Sequence, residues 1–151
     1  MTRWPLPLPM LRALEQAQDA ARLGEVPIGA VVVKAGTIIA AAHNAPRELC
    51  DPPAHAEVLA LRRAAQLLGN ERLDGCDLWV TLEPCAMCAG AIVHARIARV
   101  YYGAADSKGG AVEHGARVFA QPQCLHRPDV YSGIGEEEAG GLLREFFAGR
   151  R

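Results

Sequence analysis

The stretch Leu78-Trp79-Val80-Thr81-Leu82-Glu83-Pro84-Cys85-Ala86-Met87-Cys88-Ala89-Gly90-Ala91-Ile92 passes from a compact apolar strand, Leu78 to Leu82, through a proline into a helix expected from Cys85 to Ala95. Ala98 to Tyr102 is strand-like again. Upstream the alternation continues. A helix is expected from about Ala54 to Leu68: Asp51-Pro52-Pro53 holds the chain extended before it, since residues ahead of proline avoid the helical region, and Gly69-Asn70 ends it. The β-branched run Val26 to Val33 and the short run Thr37 to Ala42 flank the turn signal Ala35-Gly36, which predicts a β-hairpin. Met10, Leu11, Leu14, Ala17 and Ala21 recur at the helical spacing of three and four, and Gly24 stops that first helix. Beyond Gly103 the pattern weakens through Gly109-Gly110, Gln121-Pro122 and Gly133-Ile134-Gly135, until an amphipathic helix from about Glu136 to Phe147 closes the chain. Strand, helix, strand, helix, strand in this order predicts an α/β fold with parallel neighbours joined by crossovers.

A chain of 151 residues, 50% hydrophobic and 22% charged, has the size and composition of one globular unit, and a single domain spanning 1–151 is expected. Sixteen basic against 17 acidic side chains leave a net charge of -1, which excludes the domain-wide basic field that holds DNA nonspecifically. Any contact with nucleic acid must be local. No uncharged apolar run approaches the roughly 18–20 residues that cross a bilayer, so no membrane partner is expected. Met1-Thr2-Arg3-Trp4 has one basic residue, and Pro5, Pro7, Pro9, Arg12 and Glu15 interrupt the apolar run after it, unlike a secretory signal. Five cysteines, an odd number, fit a reducing cytoplasm and a metal or redox pair better than a disulfide framework.

Two short motifs carry the chemistry. His55-Ala56-Glu57 opens one inner helix and Pro84-Cys85-Ala86-Met87-Cys88 opens the other. Cys85 and Cys88 are three apart, so their sulfurs share a face of the first turn, where free N–H groups and the helix dipole favour thiolate. His55 and Glu57 are two apart and can share a site only at a helix tip. One histidine and two cysteines are three ligands with no fourth at motif spacing, the arrangement of a catalytic zinc with an open position. Zinc lowers the pKa of bound water from about 15.7 to near 7, and Glu57 beside it would carry protons. The competing readings are a redox pair at Cys85 and Cys88, and a closed structural zinc site completed by Cys50, Cys76 or Cys124. His43, His94 and His114 lack partners at metal spacing.

These motifs resemble the zinc-dependent cytidine/adenosine deaminase superfamily. Within it the chain is most similar to the bacterial tRNA-specific adenosine deaminases, through Gly24-Glu25-Val26-Pro27-Ile28-Gly29-Ala30, His43-Asn44-Ala45-Pro46, Thr81 to Ile92 and Gly103-Ala104-Ala105-Asp106-Ser107-Lys108. The resemblance covers almost the whole chain. It implies a three-layer α/β/α fold with a five-stranded mixed sheet and helices on both faces, as in the cytidine deaminase-like proteins. It also implies one zinc ion per chain on His55, Cys85 and Cys88, with Glu57 as general acid/base. By the same resemblance Asn44 meets the purine edge, the backbone N–H of Ala56 meets the oxygen added in the reaction, and Val26 and Pro27 wall the pocket. The implied activity is hydrolytic deamination of adenosine to inosine at the first anticodon position of tRNA, in the cytoplasm, by a homodimer whose sites are completed near the subunit interface. The implied partner is the anticodon stem-loop, with Asp106, Lys108 and Arg127 among its contacts; Arg47, Arg150 and Arg151 could add phosphate contacts. The chain departs from the family where RNA is read: Glu113-His114 replaces Gly-Ser, and Leu125 replaces the asparagine before His126-Arg127. Two rival readings remain open: a deaminase of a free base or nucleotide, such as guanine, cytosine or a riboflavin precursor, and a noncatalytic zinc-stabilised RNA-binding module.

Overall fold

The computed structural model describes residues 5–150; Met1 to Trp4, whose reading bears on a signal sequence, and Arg151, a proposed phosphate contact, lie outside the described residues. The described residues form α1 (Leu8–Arg22), β1 (Gly29–Lys34), β2 (Thr37–His43), α2 (Ala56–Leu68), β3 (Cys76–Leu82), α3 (Ala86–Ala95), β4 (Arg99–Ala104), a 3₁₀ turn (Val118–Ala120), β5 (Asp129–Tyr131) and α4 (Glu136–Ala148). The strands make one mixed sheet in the order β2-β1-β3-β4-β5. Helices α2 and α3 cover one face, where Ala60, Leu61, Ala89 and Ile92 meet Val32, Leu78, Val80 and Val100. Helices α1 and α4 cover the other, where Met10, Leu14 and Ala139 meet Val31, Trp79 and Ala104. This is the three-layer α/β/α arrangement with helices on both faces. Because β1 is covered on both faces it is buried from Gly29 to Val33, which is why its sequence is a continuous apolar run rather than an alternation.

Two expectations change. The first strand begins at Gly29, not Val26: Pro27 has no N–H to offer the ladder, and the Ile28 N–H donates back to the Val26 carbonyl at 2.8 Å, closing a three-residue turn. The unit β2–α2–β3 does not join neighbouring strands. A two-residue turn can connect only adjacent antiparallel strands, so β1 lies against β2, and its other edge pairs antiparallel with β3. Strands β2 and β3 are therefore parallel but separated by β1. The crossover rule holds for β3–α3–β4, where Asp77 pairs with Arg99 and Leu82 with Ala104, and β5 adds a second parallel pairing.

Gly29 sets how closely α1 approaches the sheet. A Cβ at this position would stand 1.9 Å from the Ala13 carbonyl oxygen and 2.7 Å from the Ala17 nitrogen, so only glycine lets the helix backbone lie on the strand. The result matters for the site, since Gly29 also donates its N–H to the Thr81 hydroxyl at 3.2 Å and aligns the start of β1 with the end of β3.

Candidate active site

The carboxyl ends of β2, β3 and β4 lie at one edge of the sheet, together with the start of β1. Ligands of open α/β sheets are typically held at such an edge. Asn44 leaves the end of β2 there, α2 and α3 begin there, and the loop after Ala104 begins there. His55 and Cys85 are the N-cap residues of α2 and α3, each with extended backbone angles, so both side chains leave the chain before the helix turns. Prolines upstream make those starts abrupt: Pro53 precedes His55 by two and Pro84 precedes Cys85 by one.

The His55 Nδ1 lies 3.7 Å from the Cys85 sulfur and 3.5 Å from the Cys88 sulfur, and the three ligand atoms fall within 4.8 Å of one another. A tetrahedral zinc, with bonds near 2.3 Å to sulfur and 2.0–2.1 Å to nitrogen, sets sulfur and nitrogen about 3.6 Å apart. The donor set and its spacing therefore fit such an ion. Contacts from the Cys88 thiol and the His55 ring bring the Cys85 thiol down to about 4, which makes it a thiolate, while the Cys88 thiol is pushed up as donor to Cys85. Among the described residues no other group of three metal-binding side chains occurs. Cys50 is exposed, Cys76 starts β3 at the opposite edge of the sheet, and the Cys124 thiol donates to the His126 carbonyl at 3.0 Å. The alternative of a site closed by one of these three cysteines finds no support.

Glu57 lies in the first turn of α2 and is buried to 4% exposure. Burial pushes its carboxyl up to about 7; the backbone N–H and the Cys88 thiol act in the opposite direction without cancelling it. A carboxyl with that pKa can both take and give a proton at neutral pH. Ala56, also buried, opens the helix, where backbone N–H groups have no carbonyl four residues back. Asn44 is buried to 5%, its N–H tied to the Ile28 carbonyl at 3.0 Å. Pro27 is buried and Val26 half-buried in the turn before β1, at the same edge.

The sheet separates the RNA-facing residues predicted from sequence. Asp106 and Lys108 lie on the loop after β4, at the edge that holds His55 and Cys85. Arg127 is exposed two residues before β5, and β5 starts beside Arg99, so it stands at the opposite edge. His126 donates its ring N–H to the Ile97 carbonyl at 2.6 Å and anchors that segment there. Arg47 belongs to the site edge, its N–H held by Glu25, and Arg150 lies over the Phe146 ring.

Sequence reasoning missed two buried carboxylates. Glu25 accepts from the N–H groups of Arg47 at 3.3 Å and Glu48 at 2.7 Å, so it shapes the turn that follows Asn44. Glu83, with a side chain wholly shielded from solvent, accepts five hydrogen bonds from the loop after β4. The available signal was their position: acidic residues wedged between apolar ones, immediately ahead of Val26-Pro27 and Pro84-Cys85. The departures at Glu113 and His114 belong to the same network, since the Tyr102 hydroxyl donates to Glu113 and the His114 ring to Glu83.

A family model described as MafB19-like deaminase matches residues 9–150. The chain is 58% identical, over 92% of its length and 91% of the relative's, to a tRNA-specific adenosine deaminase from Agrobacterium fabrum (strain C58 / ATCC 33970). A solved structure from work on A-to-I editing by tRNA:A34 deaminases at the wobble position of transfer RNA superimposes with TM-score 0.89 at 57% identity, covering 89% of this chain and 98% of that one. Guanine deaminase from Nitrosomonas europaea shares the fold at TM-score 0.76 and 26% identity, over 97% of this chain and 87% of its own. Identity this high over nearly the full length of both proteins, on the same mixed sheet, means that the chain belongs to the tRNA-specific adenosine deaminase family of the cytidine deaminase-like superfamily.

Proposed function

We propose that this chain deaminates adenosine to inosine by hydrolysis at the first anticodon position of a tRNA, with one zinc ion held by His55, Cys85 and Cys88. The observation that carries the reading is the three-donor cluster at tetrahedral spacing beside Glu57, a buried carboxyl brought to about 7. Zinc in that cluster would supply an activated water at neutral pH. Glu57 is then the catalytic residue that moves protons: its carboxyl takes up the first of the water's two protons and delivers it to the ring nitrogen beside the attacked carbon, then takes up the second and delivers it to the amino group, which leaves as ammonia. Adenine and water thus become hypoxanthine and ammonia. Asn44 holds the base edge, the Ala56 N–H stabilises the incoming oxygen, and Val26 with Pro27 excludes water from one side. A noncatalytic zinc module would have no use for a carboxyl buried among its ligands.

Asp106 and Lys108 serve RNA at the same edge. Arg127, at the far edge, would serve either RNA that extends along the sheet or the site of a second copy, and a homodimer is the reading we favour. Its support is an apolar groove along α3, lined by Val93, His94, Val118, Cys124 and Leu125, with Leu125 86% exposed. The cytoplasm, where tRNA is used, is the compartment this activity implies.

The likeness to guanine deaminase makes a free base the second reading. Incubation with total tRNA, an anticodon stem-loop, adenosine, guanine and cytosine separates the two. Inosine in tRNA is expected. Turnover of free guanine or cytosine with the stem-loop untouched would replace the substrate and keep the chemistry. Metal analysis of the purified protein should give one zinc per chain.

A further inference from the structure

We infer that Glu83 is a positioning residue that sets the loop from Asp106 to His114 against the metal cluster, and so governs how tightly RNA is bound rather than whether metal is held. The inference rests on the tRNA reading above only for the identity of the substrate. Glu83 stands between the last residue of β3 and the ligand Cys85, with Pro84 as the one intervening residue, and its own N–H donates to the Ala104 carbonyl at 2.8 Å. Its carboxylate is therefore fixed relative to Cys85 by a short and stiff piece of chain. One oxygen accepts from the Asp106 N–H at 3.0 Å and the His114 ring nitrogen at 2.8 Å. The other accepts from the N–H groups of Val112, Glu113 and His114 at 3.1, 2.9 and 3.1 Å.

The loop is wrapped on this anion from both ends. Gly110 allows the wrapping, because a Cβ there would stand 2.5 Å from the Glu83 carboxyl carbon, and the Ala111 N–H adds a bond to the Pro84 carbonyl at 2.9 Å. Asp106 in turn accepts from the N–H groups of Lys108 and Gly109, which fixes the tip that presents Lys108. Backbone donors converging on one buried carboxylate are strong, directional and costly to leave unpaired. A glutamine keeps the size but turns one acceptor into a donor, facing other donors on whichever side it is placed.

The test is Glu83→Gln in the full chain, measured three ways. Metal content should stay at the wild-type value. Steady-state kinetics on the anticodon stem-loop should show KM raised tenfold or more with kcat within about threefold. Amide hydrogen exchange at Asp106, Val112 and Glu113 should accelerate while α2 and α3 stay protected. A merely structural role would lower kcat with the folded fraction and leave KM alone, and that outcome overturns the inference. Unchanged exchange in the loop overturns it equally. If Glu83→Gln does not fold, His114→Ala decides: it removes one donor from a side chain 40% exposed, and should raise KM severalfold and loosen the same amides. Unaltered KM and exchange in His114→Ala would then reject the inference. Should wild-type protein ignore tRNA, the function proposed above fails by itself, and the exchange data still judge Glu83.

Discussion

Glu57 and Glu83 are both buried acids, and their surroundings drive them apart. Glu57 is raised by burial that its backbone N–H and the Cys88 thiol do not cancel, whereas at Glu83 burial pushes up and is outweighed by the N–H groups of Asp106, Glu113 and Val112 and the His114 ring, which leave it below 4.5. One is held ready to exchange protons and the other is held as an anion. Glu57→Gln should therefore retain its metal and fold while turnover drops by about 10²–10⁴-fold, read from single-turnover rates and metal analysis on the same sample. For Glu83 the native carboxyl lies below the unfolded value, so its stabilisation is complete above 4.5 and is lost as pH falls through the native value. Urea midpoints followed from pH 6 to pH 3 should decline more steeply in wild type than in Glu83→Gln. Parallel curves would mean that the carboxylate contributes no acid sensitivity.

At the scale of elements, the β1–β2 hairpin turns through Ala35 and Gly36, both at positive φ, 49° and 79°. That is the requirement of the tight primed turns whose twist matches the strands, and alanine meets it poorly because its Cβ crowds the carbonyl oxygen. Ala35→Asn should raise stability by about 1 kcal/mol, a Tm increase of about 2–4 °C, with the metal site untouched. A fall in Tm would show that the alanine methyl has a packing role there. The hairpin also governs the site, because its register places Gly29 opposite His43 and so brings Asn44 level with the starts of α2 and α3.

For the whole molecule, the charge balance of -1 means that RNA must be held by a few local cations rather than by an overall field. Deamination of an anticodon stem-loop should far exceed that of free adenosine, and rising salt should erode the difference as phosphate contacts release counterions. Lys108→Ala and Arg127→Ala should each lower stem-loop activity with zinc retained. If the two cations serve sites of different copies, mixed dimers of the two variants should regain one unimpaired site. Failure of mixing to restore any activity would place both on the same site.

Strands β1 to β4, the helices and the hairpin turn were legible because each depends on local periodicity, whereas the three-residue β5 lies in the stretch beyond Gly103 where that pattern fades; the pairs His55/Glu57 and Cys85/Cys88 were legible because spacing at a helix start is also local. A resemblance carried by those motifs reached the fold family and the mixed sheet that the structure bears out. Strand order was not legible. The period of an apolar run says which face is buried but not which edge a strand meets: the hairpin set β1 beside β2, and only packing in three dimensions put β3 on the other edge of β1. The same limit hid Glu83, whose five hydrogen bonds come from four residues 23 to 31 positions along the chain. It also hid the separation of Lys108 from Arg127, since loops at opposite edges of a sheet look alike in sequence. Local spacing by itself determined which side chains could bind a metal; the tertiary structure alone decided what surrounds them, because burial and convergent hydrogen bonds arise only when distant segments pack.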